Sequence, residues 1–449
     1  MSTSSHPSGW DEPRQFTIPM PFDYIPNNPT FLLVCSATHV VVGRRNVNRA
    51  YIYSLPTFDV NVLELEDISH PTSFEIYGAI LVSRCWHSSD GSGDAHRLYV
   101  YDLSTGECLN VVPDDIDHDK TTISFPRTEH DRVVRGEWPK TPTLVICSGG
   151  QTLQTYTIGR SFKQTGHNIE EEESATMASA LTISLSHRVL CHASIGRTAV
   201  TGGRDATVRV WDIVTGQCRL VLIGHRLEVN NVCLDKARIY SASADDAVRV
   251  WDRYSGDCVH ILEWPPFQSY SISELDTTPS YLMCTVFIIA DAHYPYTTLV
   301  SMIWDPVSGR LVHQISSNRK CCQGPMRGKE LTLVSYERDK DSGVEYLKIW
   351  DVESGQELMR SRAGPRSIFL RFCSQERFII ALALQDLEYK LKVWDFGDNI
   401  PLSSEDDVSS NHEGTREDNL GKKKAEGSII DNRKRSNAKD FIRRLFRKR

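Results

Sequence analysis

The sequence has 449 residues, of which 40% are hydrophobic and 24% are charged, and its formal net charge is −7. This composition is that of a globular protein with enough chain to bury a large core. No apolar run approaches the roughly 20 residues that span a bilayer, and the polar first residues do not resemble a signal peptide, so a soluble chain with a flexible N-terminus over residues 1–15 is expected.

A short motif then recurs along the chain: a strand, an aromatic residue, Asp, two further residues, Ser or Thr, and Gly. Self-similarity of this kind is the mark of a repeat architecture. Trp394-Asp395 ends the last strand without the Ser-Gly continuation, and Tyr53-Ser54 and Tyr156-Thr157 are weaker candidates. The clear copies are Tyr101-Asp102…Thr105-Gly106, Trp211-Asp212…Thr215-Gly216, Trp251-Asp252…Ser255-Gly256, Trp304-Asp305…Ser308-Gly309 and Trp350-Asp351…Ser354-Gly355.

The spacing of the copies predicts the fold. From Trp211 onward the aromatic residues lie 40, 53, 46 and 44 residues apart. A period of about 40 to 45 residues with this dipeptide is typical of a four-stranded propeller blade. We therefore predict an all-β propeller over residues 16–400 with eight blades, or seven if Tyr53 or Tyr156 does not close a strand. A strand near Phe16–Phe22 is expected to close the ring, because closure removes exposed sheet edges.

Residues 197–258 most closely resemble WD-repeat proteins. The stretches TGGRDATVRVWD (201–212) and SASADDAVRVWD (241–252) are close to the consensus of that family. In such blades His, Ser or Thr, Asp and Trp form a hydrogen-bonded tetrad, which is a satisfied buried polar network. The resemblance implies a complete structural tetrad in one blade. Its members are His225, Ser241, Asp245 and Trp251.

The preceding blade is predicted to keep only part of this tetrad. Thr201, Asp205 and Trp211 occupy three of the positions. In ungapped register Leu185 takes the His position, and His187 takes its place only if the intervening loop is two residues shorter.

Motifs of catalysis and metal binding are missing from the sequence. There is no phosphate-binding Gly-Lys-Ser/Thr loop, no Gly-x-Ser-x-Gly elbow and no His-Glu-x-x-His helix. Among twelve cysteines only Cys321 and Cys322 are close, and adjacent residues do not make a Cys-x-x-Cys site. We predict that the protein is not an enzyme, binds no metal, cofactor or small-molecule substrate, and works in a reducing compartment.

A propeller presents side chains to partners from loops that converge at the mouth of its channel. Arg204 precedes the tetrad Asp of its blade, and Arg226 lies in the neighbouring loop 224–228. Residues 203–225 resemble the corresponding blade of F-box/WD-repeat receptors, in which an arginine at the position of Arg204 contacts phosphate. The other two pocket arginines of that subfamily would fall at Leu190 and Asn230, and fewer than 30 residues precede the first strand, which is too few for an F-box. Arg204, Arg226 and Asn230 are the predicted partner-binding residues.

The composition changes from Pro401 onward, and residues 401–449 are predicted to form a disordered tail, acidic and then basic. Residues 421–449 hold 12 Lys/Arg against 3 Asp/Glu, a net charge of +9, which leaves −16 for the other 420 residues. Residues 437–449 have the pattern of a short amphipathic helix. Targeting to the nucleus, contact with a membrane, nucleic acid or partner, and simple solubilisation are the alternatives for the tail. Two basic clusters are the candidate targeting residues: Lys422, Lys423, Lys424, Arg433, Lys434 and Arg435.

The sequence thus favours a non-catalytic, cytoplasmic and/or nuclear scaffold that binds other proteins on its propeller face. The alternative is a substrate-recognition subunit of a cullin–RING ubiquitin ligase that binds phosphorylated motifs. Any contact with nucleic acid or membrane is expected only through the basic tail.

Overall fold

The computed structural model contains strands and turns but no helix within the residues it describes, as the sequence predicts. The 32 strands of this part of the chain form eight four-stranded antiparallel sheets. The described residues are 13–22, 30–45, 47–65, 69–87, 95–114, 122–124, 143–148, 152–163, 172–263, 270–278, 280–291, 294–317, 321–326, 329–338, 345–362, 367–375 and 377–397.

Each of the first four blades takes its strands in chain order, with the innermost strand first. β1 (Arg14–Pro19) precedes them and belongs elsewhere. The strands of blades 1 and 2 are β2 (Phe31–Cys35), β3 (His39–Arg44), β4 (Arg49–Ser54), β5 (Asp59–Glu64), β6 (Ser69–Tyr77), β7 (Ile80–His87), β8 (Ala95–Asp102) and β9 (Cys108–Asp114). Those of blades 3 and 4 are β10 (Thr122–Ser124), β11 (Thr143–Ser148), β12 (Thr152–Lys163), β13 (Glu172–Ser184), β14 (Val189–Ile195), β15 (Thr198–Gly203), β16 (Thr207–Asp212) and β17 (Cys218–Ile223).

Blades 5 to 7 follow the same order, and blade 8 is completed by β1. The strands of blades 5 and 6 are β18 (Val229–Leu234), β19 (Arg238–Ser243), β20 (Ala247–Asp252), β21 (Cys258–Glu263), β22 (Tyr270–Thr277), β23 (Leu282–Asp291), β24 (Tyr294–Trp304) and β25 (Leu311–Ser317). Those of blades 7 and 8 are β26 (Cys321–Met326), β27 (Lys329–Arg338), β28 (Glu345–Asp351), β29 (Glu357–Arg362), β30 (Ser367–Gln375), β31 (Phe378–Gln385) and β32 (Glu388–Asp395).

The blades are arranged as a ring. Innermost strands of neighbouring blades contact one another, as β14 does with β18 and β2 with β30. The prediction of eight blades is confirmed, and the alternative of seven is wrong, because Tyr53 and Tyr156 both lie in the third strand of a blade. Tyr156 lies in the middle of β12 rather than at its end, which explains why its copy of the motif is hard to recognise.

The ring closes through β1, which pairs antiparallel with β32 from Arg14 opposite Asp395 to Pro19 opposite Lys390. The closing strand was expected near Phe16–Phe22, and the structure begins it two residues earlier. The described strands therefore extend from residue 14 to residue 395, beside the predicted limits of 16 and 400. The limit at residue 400, most of the predicted segment 1–15 and all of 401–449 lie outside the described residues, so the predicted domain boundaries stay predictions.

The repeated motif builds the turn between the third and fourth strands of a blade. In blade 5 the Asp252 carboxylate accepts hydrogen bonds from the main-chain N–H groups of Tyr254 (2.9 Å) and Ser255 (2.8 Å). Gly256 then donates its N–H to the Asp252 carbonyl (3.0 Å) at a φ of 80°. A positive φ favours glycine, so the Asp and Gly of the motif are explained by backbone geometry.

The hydrophobic core lies between blades. Eight clusters of buried residues occur in the described part of the chain, and each one joins one pair of neighbouring blades. Val248 and Val250 of β20, for example, pack with Val286 and Met302 of blade 6. Alternation along a strand sends successive side chains to opposite faces, and both faces of a blade are covered by a neighbour.

Two histidines add polar contacts between blades. The His260 Nε2–H of blade 5 donates to the Val307 carbonyl in the turn of blade 6 (2.8 Å), and the His313 Nε2–H of blade 6 donates to the Glu353 carbonyl in blade 7 (2.9 Å). Gly355, in that turn of blade 7, has a φ of 69°, and a Cβ there would lie 2.6 Å from His313 Nδ1.

Gly355→Ala is expected to destabilise the protein more than Gly106→Ala. Both glycines have a positive φ, 69° and 77°, so each alanine adds about 1–2 kcal/mol of backbone strain. Only the Cβ at position 355 also meets a neighbouring side chain, since nothing lies within 4 Å of one at position 106. Urea unfolding of the two variants measures the difference. Equal losses in the free energy of unfolding would show that the Cβ at position 355 does not disturb His313 or its contact between blades.

Candidate binding face of blades 4 and 5

The antiparallel order of the strands gives blades 4 and 5 two opposite faces. Loops 185–188 and 224–228 enter the innermost strands at the same end as turns 204–206 and 244–246, and we call this end the tetrad face. The motif turns 213–217 and 253–257 lie at the other end, which we call the turn face. Loops that a rigid scaffold holds at one end are the usual place for binding residues.

Blade 5 brings the four predicted tetrad residues together. Trp251 Nε1–H donates to Ser241 Oγ (2.8 Å), and Ser241 Oγ lies 2.8 Å from His225 Nε2. His225 Nδ1 lies 3.1 Å from both carboxylate oxygens of Asp245. The side chains of His225 and Asp245 are only 1% and 3% exposed, so the whole chain of bonds is buried.

A neutral His225 with its proton on Nδ1 satisfies every group of the tetrad. Nδ1–H then donates to Asp245, and Nε2 accepts the hydroxyl proton of Ser241. Burial lowers the pKa of His225, and Asp245 only partly opposes this, which favours the neutral form. The Asp, His and Ser order matches that of a catalytic triad, but Ser241 is fully buried, so its hydroxyl has no access to a substrate.

The tetrad also fixes the loop on the tetrad face. The main-chain N–H of Arg226 donates to Asp245 Oδ2 (2.8 Å), and the Ser243 hydroxyl donates to the Leu227 carbonyl (2.9 Å). Burial opposes ionisation of Asp245, but the Arg226 N–H and His225 lower its pKa. Asp245 is therefore an anion that holds the loop, with the side chains of Arg226 and Leu227 exposed.

In blade 4 the corresponding residues are arranged differently. Trp211 Nε1–H donates to Thr201 Oγ1 (3.0 Å), and His187 stacks on Trp211 with a centroid separation of 6.3 Å and an interplanar angle of 2°. Arg209 donates to both His187 Nδ1 and Asp205, so the carboxylate does not reach the imidazole. Leu185 packs in the apolar cluster between blades 3 and 4.

His187 lacks one bond that His225 makes. Because Nδ1 accepts from Arg209, the neutral ring carries its proton on Nε2, and that buried atom has no hydrogen-bond partner among the described residues. Burial and the charge of Arg209 both lower the pKa of His187. Asp205 remains 36% exposed, against 3% for Asp245, so the polar network of blade 4 is looser.

The predicted partner-binding residues lie on or near the tetrad face. Arg204 and Arg226 are exposed, and Asn230 is half-buried at the start of β18. Leu190 and Asn230 are both the extra residue of a β-bulge in an innermost strand, between Val189 and Cys191 and between Val229 and Asn231. Leu190 is buried, so neither bulge supplies a positive charge.

Sequence reasoning missed two arginines of this face. The main-chain N–H of Arg204 donates to the Arg188 carbonyl (2.8 Å), which places a second exposed arginine beside the first. Arg209 was missed because the two Val-Arg-Val-Trp segments of blades 4 and 5 are identical. The one indication in the sequence was the position of His187, two residues after the expected site of the tetrad histidine. It indicated that Asp205 need not bond to a histidine as Asp245 does.

The model of the WD40 family (WD domain, G-beta repeat) matches residues 182–212 and 216–252, which begin at the end of β13 and include β14 to β20 of blades 4 and 5. The described chain is an eight-bladed β-propeller, and blades 4 and 5 carry WD repeats. Propellers of this kind generally serve as non-catalytic scaffolds for protein interactions. The other six blades of the propeller have the same four-stranded form with weaker copies of the repeat.

Two curated relatives share only short segments with the propeller. Pre-mRNA-splicing factor PRP46 of Eremothecium gossypii is 44% identical over 44 residues, which is 10% of each chain. WD repeat-containing protein pop1 of Schizosaccharomyces pombe is 38% identical over 52 residues, 12% of this chain and 7% of that protein. The matched segment thus spans a tenth or less of these relatives. A crystal structure of the computationally designed protein Ika8 aligns with 82% of this chain and 97% of that one, at 17% identity and a TM-score of 0.36.

Metal sites, membrane-spanning helices and the C-terminal tail are the remaining features that the sequence analysis considered. Within the described residues, no group of His, Cys, Asp and Glu is arranged to hold a metal ion. The same residues contain no helix that is long and apolar enough to cross a membrane. The predicted basic clusters and the amphipathic helix of the tail, all beyond residue 397, lie outside the described part of the chain.

His225→Leu is expected to lower the free energy of unfolding by about 3 kcal/mol, because it leaves a buried carboxylate, Asp245, without its partner. His187→Leu is the matched control, since it removes a ring of the same size that makes one bond fewer. Its cost is expected to be about 1 kcal/mol. Urea unfolding followed by Trp fluorescence compares the two, and a smaller loss for the blade 5 variant would contradict the stabilising role of the tetrad.

Stability is expected to fall as the pH drops from about 6.5 towards 4. Burial lowers the pKa of His192 on β14 to about 4, although a hydrogen bond to the main chain of Val145 partly opposes this. The unfolded histidine binds its proton near pH 6.5, so acid favours the unfolded chain across this window. The loss between pH 7 and pH 5 is about 2 kcal/mol for this residue.

Urea unfolding at both pH values measures this loss, with His192→Gln as the control because glutamine does not titrate. The variant is expected to lose about 2 kcal/mol less on acidification than the wild-type protein. An unchanged pH dependence in the variant would show that His192 is not the titrating group. His39, His187 and His225, whose pKa values burial also lowers, account for the rest.

Proposed function

We propose that this protein is a scaffold that binds partner proteins on the tetrad face of blades 4 and 5. The observation that carries this proposal is the loop 224–228, which the buried tetrad holds in one conformation while Arg226 and Leu227 remain exposed. A surface that is ordered before binding loses little conformational entropy when a partner docks.

The chemistry of this surface supports a protein partner. Arg188, Arg204 and Arg226 are exposed on neighbouring loops, beside the 54% exposed side chain of Leu227. Arginine is enriched in protein interfaces because it combines apolar stem, planar guanidinium and several donors. Close positive charges also repel one another, and an acidic partner surface relieves that repulsion.

A receptor for phosphorylated motifs, within a cullin–RING ubiquitin ligase, is the second candidate function. It is favoured by the exposed position of Arg204 next to Arg188, since two guanidinium groups suit a phosphate. The buried Leu190 and the neutral Asn230 stand at the other two positions of the family pocket and count against it. Removal of ligand phosphate abolishes binding at the tetrad face only in this second case.

We place the scaffold in the cytoplasm and/or the nucleus. Pre-mRNA splicing is a nuclear process, so similarity to a splicing factor is compatible with the nuclear location. The basic clusters of the tail support the same location if they serve as an import signal.

The double variant Arg204→Glu/Arg226→Glu is expected to reduce co-purification of partner proteins from native cells at least about tenfold, as loss of interface arginines commonly does. Arg310→Glu/Arg360→Glu is the matched control, because it makes the same charge change at two exposed sites in blades 6 and 7. Partner recovery that survives the double variant would rule out the tetrad face as the docking surface. A ligase adaptor among the partners, together with clients lost on phosphatase treatment, would select the receptor function.

A further inference from the structure

A groove on the turn face, between blades 4 and 5, collects three arginines. It has a volume of about 650 Å³, and its lining includes Arg197, Thr198, Arg219, Leu220, Arg253 and Tyr254. Arg197 lies in the turn after β14, Arg219 in the outer strand β17, and Arg253 directly after β20. The groove is therefore built by two blades and lies at the opposite end of the propeller from Arg204.

Arg253 departs from the pattern of the repeat. The residue after the motif Asp is a buried apolar side chain in blades 2, 4, 7 and 8, but in blade 5 it is Arg253, only 8% exposed. All five residues directly follow the Asp of the motif in their blades. Four of them donate their main-chain N–H to the turn between the first two strands of the same blade. The apolar ones are Leu103, Ile213, Val352 and Phe396, and the four with the shared hydrogen bond are Leu103, Ile213, Arg253 and Phe396.

Among the described residues, the Arg253 guanidinium donates hydrogen bonds only to neutral acceptors. Its Nη2 donates to Thr198 Oγ1 of blade 4 (2.7 Å), and its Nη1 donates to the carbonyls of Asp235 (3.1 Å) and Lys236 (3.5 Å) in blade 5. No carboxylate of the described residues pairs with it. Removing a charge from water without a counter-charge is costly, so a bound anion at this position would stabilise the site.

The groove as a whole has surplus positive charge. Arg197 and Arg219 share one carboxylate, Asp212, whose side chain is 1% exposed. In blade 8 the equivalent Asp395 is paired with Arg377 through two hydrogen bonds of 2.5 and 2.6 Å. Three guanidinium groups against one carboxylate leave the groove of blades 4 and 5 two charges positive, while the guanidinium groups of Arg197 and Arg219 remain accessible, at 67% and 58% exposure.

We propose that this arginine groove binds a phosphorylated side chain in a peptide segment of a partner protein. A phosphate carries a charge of about −2, which balances the two surplus positive charges of the groove, and it accepts bidentate hydrogen bonds from guanidinium groups. Apolar surface also lines the groove, from Leu220 and from Tyr254 (77% exposed), which suits the residues that flank a phosphate in a peptide.

The net charge of the protein without its basic tail argues against a membrane or a nucleic acid as the ligand of the groove. Residues 1–420 carry a net charge of −16, which repels an extended anionic surface. A single phosphate that enters the groove is held at close range, where the local guanidinium groups outweigh the distant charge that salt screens.

The test uses the full-length protein and a fluorescein-labelled degenerate peptide library with a central phosphoserine, measured by anisotropy. Matched libraries carry serine or glutamate at the centre. We expect the phosphoserine library to bind and the serine library to bind at least tenfold more weakly. Arg197→Glu/Arg219→Glu is expected to weaken binding of the phosphoserine library at least tenfold, because it reverses two exposed charges of the groove.

Two further variants separate this site from the others. Arg204→Glu, on the tetrad face, is expected to leave binding of the phosphoserine library unchanged. The proposal for the groove and the proposed function of the tetrad face can therefore fail independently. Arg253→Leu restores the residue type of the other blades and is expected to weaken binding while the protein remains folded. If Arg253 serves only to join the blades, Arg253→Leu lowers the unfolding midpoint and leaves peptide affinity as it was, which overturns its part in the site.

The remaining outcomes all count against the proposal. Equal binding of the serine and phosphoserine libraries, or unchanged binding by Arg197→Glu/Arg219→Glu, would overturn it. Tighter binding to vesicles of phosphatidylcholine with 20% phosphatidylserine than to the phosphoserine library would assign the groove to lipid instead. Preference for the glutamate library would assign it to acidic peptides.

Discussion

Burial of both faces of each blade against its two neighbours is the interaction on which this structure depends. Each of the eight apolar clusters joins one pair of blades, so no blade completes its core alone. The cluster between blades 1 and 8 joins strands from the two ends of the sequence, and β1 completes blade 8 from the N-terminal side. Closure thus makes the ring one cooperative body, and that rigidity fixes the loops at both ends.

Polar residues of the repeat do two separate tasks on this apolar frame. The Asp and Gly of the motif form the turn between the third and fourth strands and recur in most blades, because the turn needs a positive φ whatever surrounds it. Among the described residues, the tetrad is complete only in blade 5, reduced in blade 4, and shortened to the Trp350–Ser335 hydrogen bond in blade 7. Its contribution is therefore local: it orders loop 224–228 rather than the ring.

Features set by neighbouring residues in the sequence could be predicted, and features set by contacts between distant residues could not. The motif turns and the propeller, with eight blades preferred to seven, follow from the spacing of the repeat, and the members of the tetrad follow from the resemblance to WD-repeat proteins. The insertion of Arg209 between His187 and Asp205 depends on the reach of one long side chain, which the repeat pattern does not encode. The groove on the turn face combines Arg197, Arg219 and Arg253, and only the packing of two blades brings them together.

In a repeat protein each blade serves as a control for the others, and departures from the shared pattern carry more information at buried positions than at exposed ones. An exposed arginine such as Arg204 costs little to keep, so its presence alone argues weakly for a role. A guanidinium in the place of Leu103 or Ile213 loses hydration and apolar packing together. Arg253 recovers only part of that loss from three neutral acceptors. The remainder is what an anion in the groove would supply, which is why the turn face, and not only the tetrad face, is a place to look for a partner.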